Sequence, residues 1–228
     1  ETDVMPNTIA GTAPKNAVGL VHHDKMAPKY NGTQTNGYLC ANAMLPAEQA
    51  KNVFGPKDGS AEMWVNTSIG TVRRQLLYSP EGILWYIDTD KKLKLNLVAR
   101  DQTYLGNNAI EADLNEQNGW KDGQYNHLAF TYHVDQSNKL HLSLYINGRM
   151  VARDSHYLSP ESSFGCSNAL YLGAATDGAV SQLPDAYFVG YMDEIRFWNT
   201  CRDSLTIRDA YNGYMSGIEQ GLSAYYRC

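Results

Sequence analysis

Nothing in this chain approaches the ~18 uninterrupted apolar residues that a membrane-spanning helix requires, so no span is expected. Cationic excess is missing as well: 19 Lys and Arg stand against 24 Asp and Glu, a formal charge of −5. Without a basic stripe there is no surface suited to a phosphate backbone, which argues against nucleic acid as a partner. Cysteine is sparse, with four residues at Cys40, Cys166, Cys201 and Cys228, and their spacing is not that of a zinc site. The chain also lacks a Gly-rich phosphate loop, a nucleophile elbow, internal repeats and low-complexity tracts. What it does have is apolar material, 43% of 228 residues, distributed in short pieces. That amount supports one sizeable core, and a β-sandwich of this length commonly forms a single unit.

The pieces alternate. In Gln124 to Val134, Leu128, Phe130, Tyr132 and Val134 share one face while His127, Thr131 and His133 share the other. In Leu140 to Asn147, Leu140, Leu142, Leu144 and Ile146 alternate with His141, Ser143, Tyr145 and Asn147. A period of two means half-buried strands, because successive side chains leave a pleated ribbon on opposite faces. Asp135 to Lys139 joins them as a hairpin, and Asn147-Gly148 is a two-residue turn, whose central positions need positive φ. A third strand at Met150 to Arg153 completes a meander with one apolar face, which a second sheet must cover.

Around this centre, strands are expected at Asn36–Leu45, Ser60–Thr67, Val72–Tyr78, Gly82–Ile87, Lys92–Val98 and, more weakly, Ala109–Leu114. Leu170–Ala174 and Phe188–Trp198 read as a last large hairpin. Short strands parted by turn signals indicate a sandwich rather than βαβ units. Residues 1–35 read as an irregular lead-in to a domain at 36–228, with an edge strand at Ala17–Val21 and, at His22-His23-Asp24, a solvated tip rather than a metal site. From Asp203 to Met215 the period lengthens to three and four, giving one short helix capped by Asp203 or Ser204, and a closing strand follows at Leu222–Arg227.

The even cysteine count, the start at Glu1 as in a mature or excised product, and the sequons at Asn31 and Asn66 together favour an oxidising, extracellular setting. If Leu172 lies near Asp193 in the last hairpin, antiparallel counting brings Cys166 to Cys201, leaving Cys40 with Cys228. This is one of three connectivities open to four cysteines.

Several segments carry a family resemblance: Met63-Trp64-Val65, Gly-x-Tyr-Asn-His-Leu-Ala-Phe-Thr-Tyr, Leu-Tyr-Ile-Asn-Gly, Leu-Tyr-Leu-Gly, and above all Gly190-Tyr-Met-Asp-Glu-Ile-Arg-Phe-Trp-Asn199. In this order they resemble the concanavalin A-like lectin/glucanase superfamily, in particular its laminin G-like and pentraxin-like modules, over residues 60–227. The resemblance implies an all-β, two-sheet antiparallel jelly roll of about 12 to 14 strands. Asn126 stands where the family usually has Trp, with Tyr125 or Trp120 available to fill the space. By the same resemblance Asp193 would help hold a structural Ca²⁺ against the N-terminal strand, oxygen ligands suiting that ion. Glu111-Ala-Asp-Leu-Asn-Glu116 matches the E-x-D-x-x-E spacing of the superfamily's glucanases, implying Glu111 as nucleophile, Asp113 as its partner and Glu116 as acid. Asn115 at the bulge position and the solvated flanks speak against catalysis.

For binding, loops at one end of a rigid sandwich are the default. The segment Thr176–Tyr187 offers carboxylates at Asp177 and Asp185, an amide at Gln182 and an aromatic at Tyr187, a composition suited to sugars. The leading expectation is therefore a non-catalytic extracellular recognition or adhesion module for glycan or protein, with calcium assistance. A structural subunit that self-assembles, and a glucanase-like hydrolase, are the alternatives.

Overall fold

The computed structural model describes residues 29–31, 44–80, 82–99, 109–173, 188–213 and 215–226. The first strands in chain order are β1 (Lys29–Asn31), β2 (Met44–Leu45), β3 (Asp58–Asn66), β4 (Arg74–Ser79), β5 (Ile83–Ile87), β6 (Lys92–Leu97) and β7 (Ile110–Asp113). They are followed by β8 (Tyr125–Val134), β9 (Lys139–Ile146), β10 (Arg149–Tyr157), β11 (Leu170–Leu172), β12 (Val189–Trp198) and β13 (Leu222–Tyr226). Two short helices, α1 (Ala47–Ala50) and α2 (Ser204–Ala210), and one 3₁₀ turn at Glu116–Asn118 complete the elements among the described residues.

The strands form two antiparallel sheets. One has seven strands, ordered β1-β12-β3-β8-β9-β10 with β13 also on β12; the other has six, ordered β2-β11-β4-β5-β6-β7. The inward faces follow the alternation: Leu128, Phe130, Tyr132, Leu140, Leu142 and Leu144 are fully buried. Trp85 of the second sheet meets Phe130 of the first edge-on at 5.1 Å, so one aromatic pair spans the core. Asn147 and Gly148 turn with φ of 51° and 75°, and Ile146 pairs with Arg149 across them. Trp120, not Tyr125, fills the core beside Asn126: Trp120 is 3% exposed and Tyr125 is 44%.

Three expectations change. β11 and β12 are not a hairpin, because β11 pairs with β2 and β4 in one sheet while β12 pairs with β1, β3 and β13 in the other. Leu172 lies beside Leu77 and Asp193 beside Trp64. The counting that joined Cys166 to Cys201 therefore fails, and Cys201 is a free cysteine. Alternation shows which face is buried, not which neighbour supplies the hydrogen bonds. Cys40 and Cys228 lie outside the described residues, as do positions 17–24 and 36–43.

Second, β12 carries a bulge between Asp193 and Arg196, with Glu194 at φ 48°. An extra residue shifts the phase of a strand. Met192 consequently joins Ile195 and Phe197 in the core, although unbroken alternation along Phe188–Trp198 would set it on the face of Arg196 and Trp198. Just before it, Gly190 is required by close approach: a Cβ there would stand 2.1 Å from the Asn66 carbonyl oxygen of β3, at φ 141°. Third, α2 ends at Ala210 rather than near Met215, and Lys29–Asn31, inside the stretch read as irregular, pairs with β12.

Candidate functional site

One end of the sandwich gathers the chain after β3, the β5–β6 turn, the β7–β8 connection and the start of β12. These segments are tied to one another by hydrogen bonds. The Gly123 N–H donates to the Thr67 carbonyl at 3.0 Å, and the Ile69 N–H to Asp122 Oδ1 at 2.8 Å. Leu114 donates to the Lys91 carbonyl at 2.8 Å, and the Thr67 hydroxyl to the Val189 carbonyl at 2.6 Å. Asn126, fully buried at the start of β8, accepts from the Lys121 N–H and donates to the Lys121 and Gln124 carbonyls. The Trp-to-Asn departure is thus a polar latch on the β7–β8 connection. Asn147 Nδ2 extends the latch to the Gly119 carbonyl at 2.7 Å.

These braces frame a cleft of about 740 Å³. Ile69 and Leu114 supply apolar lining, Trp120 rises from the core beneath, and exposed Glu116, Lys121 and Gln124 offer polar groups. The volume lies within the range of small-ligand sites, about 300–1,000 Å³. Asn115 caps the 3₁₀ turn by accepting from the Asn118 N–H, so it is structural. Asp177, Gln182, Asp185 and Tyr187 lie outside the described residues. The residues flanking that segment come together: Phe188 donates to the Gly173 carbonyl at 2.8 Å. Val189 is held by Thr67 at the cleft end.

The acidic motif is divided. Glu111 and Asp113 lie on the outward face of the edge strand β7, where Glu111 pairs with Lys92, while only Glu116 lines the cleft. Asp193 sits half-buried on the outward face of β12, its Oδ1 accepting from the Glu194 N–H at 2.7 Å. Glu194 turns instead to Arg196, at 2.9 Å, and accepts from the Tyr225 hydroxyl at 2.5 Å. Among the described residues no three His, Cys, Asp or Glu side chains gather as metal ligands. Asn66 ends β3 on the outward face, and Asn31 ends β1 beside Val189.

The sequence reading missed an ionic cluster on the outward face of the seven-stranded sheet, covered by α2 and the segment after it. Glu62 of β3 faces Arg202 Nε at 3.1 Å, His127 Nε2 at 3.3 Å and Arg196 at 3.9 Å, and both Glu62 and His127 have no exposed side-chain surface. Burial alone would push the Glu62 carboxyl up, but His127 and the two guanidiniums hold it below its ordinary range. Burial pushes the His127 ring down, against the pull of Glu62. Both groups are thus held below their ordinary pKa values.

Farther along the same face lies a second depression of about 450 Å³, crossed by Thr131, Ser143 and Arg153 and bordered by Cys201. His133 Nδ1 meets Asp58 at 2.6 Å, His141 Nε2 meets Asp135 at 2.9 Å, and the two rings stack at 6.2 Å. His141, then Ser137 and backbone N–H groups, hold the Asp135 carboxyl below its ordinary range. Burial pushes the Cys201 thiol up, away from the reactive thiolate.

Two facing antiparallel sheets joined by long crossings make this a jelly-roll sandwich. Residues 35–208 match the family model of the concanavalin A-like lectin/glucanases superfamily, and the chain belongs to that superfamily. No curated protein sequence matches. Among solved structures, a Bacteroides ovatus protein provisionally described as carbohydrate binding aligns at TM-score 0.55 and 14% identity, over 75% of this chain and 45% of that one. The heptameric SAP-like pentraxin of Limulus polyphemus aligns at TM-score 0.50 and 13% identity, over 74% and 80%. This chain thus spans under half of the Bacteroides ovatus protein. Both likenesses concern the fold. No described helix is long and apolar enough to cross a membrane.

Proposed function

We propose that this chain is a non-catalytic recognition module that binds a glycan in the loop-end cleft, in an extracellular setting. The observation that carries the reading is the cleft itself, with apolar Ile69 and Leu114 beside exposed Glu116, Lys121 and Gln124 on a braced frame. Sugars need hydrogen-bonding side chains beside apolar surface, and a frame ordered beforehand lowers the entropic cost of binding them. Membership of a superfamily that includes lectins agrees with this, and so does the description of the Bacteroides ovatus neighbour.

Against hydrolysis, Glu111 is paired with Lys92 on an edge strand and does not share a cleft with Glu116. Retaining chemistry needs two carboxyls about 5–5.5 Å apart across one scissile bond. The test is a glycan panel followed by titration of a hit. Glu116→Ala and Gln124→Ala, both exposed, are expected to weaken binding at least about tenfold, roughly 1.4 kcal/mol, with melting unchanged. Wild-type affinity in both variants would remove the cleft from the reading. A panel without hits, alongside capture of an extracellular protein, would change the ligand class.

A further inference from the structure

Of the two sequons, Asn31-Gly-Thr leaves its threonine outside the described residues, whereas Asn66-Thr67-Ser68 lies wholly within them. Such a tripeptide is only an acceptor pattern until the fold leaves its asparagine within reach. Asn66 is the last residue of β3, where the strand gives way to the loop that meets the cleft at Ile69. Its backbone is fixed. A Cβ on Gly190 would stand 2.1 Å from the Asn66 carbonyl oxygen, and the following Thr67 is buried, its hydroxyl committed to the Val189 carbonyl at 2.6 Å. The two side-chain groups that the acceptor needs are left over. Among the described residues, neither the Asn66 amide nor the Ser68 hydroxyl has a hydrogen-bond partner, and Ser68 is exposed. The strand end thus holds the acceptor firmly and presents its amide on the outward face.

The neighbours of that amide would receive an attached sugar. Opposed residues of paired strands project from the same face. Register sets Asn66 across from Tyr125 of β8 on one side and Tyr191 of β12 on the other. The layer made by α2 and the segment after it covers Trp64, whose indole donates to the Tyr211 carbonyl, two residues short of this row. In the row itself Tyr125 is one of the five exposed large hydrophobic residues. Opposed Cβ atoms lie about 4.5–5.5 Å apart, so a pyranose ring on Asn66 Nδ2 reaches the Tyr125 ring. The apolar face of a sugar suits a flat aromatic surface of this kind.

We infer that Asn66 carries an N-linked glycan whose first N-acetylglucosamine lies on the Tyr125 ring, covering the outward face of the seven-stranded sheet where the α2 layer stops. The inference rests on the extracellular setting proposed above, since this acceptor is modified on entry into a secretory pathway. Transfer forms a bond between Asn66 Nδ2 and C1 of the sugar and breaks the C1–O bond to the pyrophosphate of a lipid-linked oligosaccharide donor. The lipid pyrophosphate leaves and Nδ2 gives up one proton, with no change of oxidation state.

The test uses the full chain secreted by a eukaryotic host behind a cleavable signal peptide, with Asn31→Gln in every sample to silence the other sequon. Peptide mapping by mass spectrometry should find the Asn66 peptide carrying N-acetylhexosamine and hexose, and Ser68→Ala should abolish the modification. The glycosylated chain should melt about 1–3 °C above the Ser68→Ala chain. It should keep that advantage when trimmed to the first N-acetylglucosamine, and lose it in a Tyr125→Ala background. Unmodified Asn66 in the secreted chain would overturn the site. No advantage in melting, or one indifferent to Tyr125→Ala, would overturn the placement of the sugar. Because the signal peptide assures secretion, either failure counts against Asn66 and leaves the extracellular reading standing.

Discussion

Glu62 and His127 show what a single buried pair does to the pH response of a whole fold. Both groups keep depressed pKa values in the folded chain, His127 below its ordinary 6.5 and Glu62 below 4.5. The unfolded chain therefore takes up protons that the folded chain refuses. The stability these groups contribute is present above those ordinary values and is lost as pH falls: first below 6.5 through His127, then below 4.5 through Glu62. One such proton is worth up to about 1.4 kcal/mol per pH unit. Urea midpoints at pH 7.5, 6.5 and 5.5 should fall with acidity in the wild type and fall less steeply in His127→Asn. Equal slopes would mean that His127 is not held neutral. The buried pair was not legible in the sequence because period-two alternation assigns a residue to the outward face without saying whether another layer covers it. Here α2 and the segment after it do so: Arg196 donates to the Ala210 and Gly213 carbonyls, and Trp64 Nε1 to the Tyr211 carbonyl at 3.0 Å.

Among elements, α2 ends at Ala210, whose carbonyl accepts from both Arg196 and the Gly213 N–H in a tighter turn. Its start was readable. Asp203 caps it, Oδ1 accepting from the Thr206 N–H at 2.8 Å and Oδ2 from the Thr206 hydroxyl at 2.9 Å. Asp203→Ala should cost about 1 kcal/mol, lowering the melting temperature by about 2–4 °C in calorimetry. A shift below one degree would mean that packing, not the cap, holds α2. The strands divide in the same way. β8 and β9 were legible because their alternation is unbroken and Asn147-Gly148 fixes their connection to β10. β12 was legible as a strand, but its bulge at Glu194 was not, since a non-glycine residue at φ 48° leaves no mark in the pattern. The pairing of β11 was invisible for a different reason. Leu170–Leu172 would fit either sheet, and its partner β4 is remote in sequence.

At the scale of the molecule, the loop-end cleft rests on a frame of backbone and amide hydrogen bonds. Dialysis against a chelator is expected to leave the melting temperature unchanged. A fall of several degrees, restored by Ca²⁺, would place an ion beside Asp193 with ligands beyond the described residues. That loops at a sandwich end would frame the cleft was readable from fold class, because such loops are free to vary. The lining residues were not, since Ile69, Glu116 and Gln124 converge only once Asp122 and Asn126 have folded the β7–β8 connection back. The most direct test of glycan recognition in this cleft is amide chemical-shift mapping of the intact chain during titration with a glycan hit. Shifts clustered at residues 69, 91 and 114–124 are the expected result. Shifts confined to the open sheet face around His133, His141 and Arg153, with the loop end silent, would contradict it.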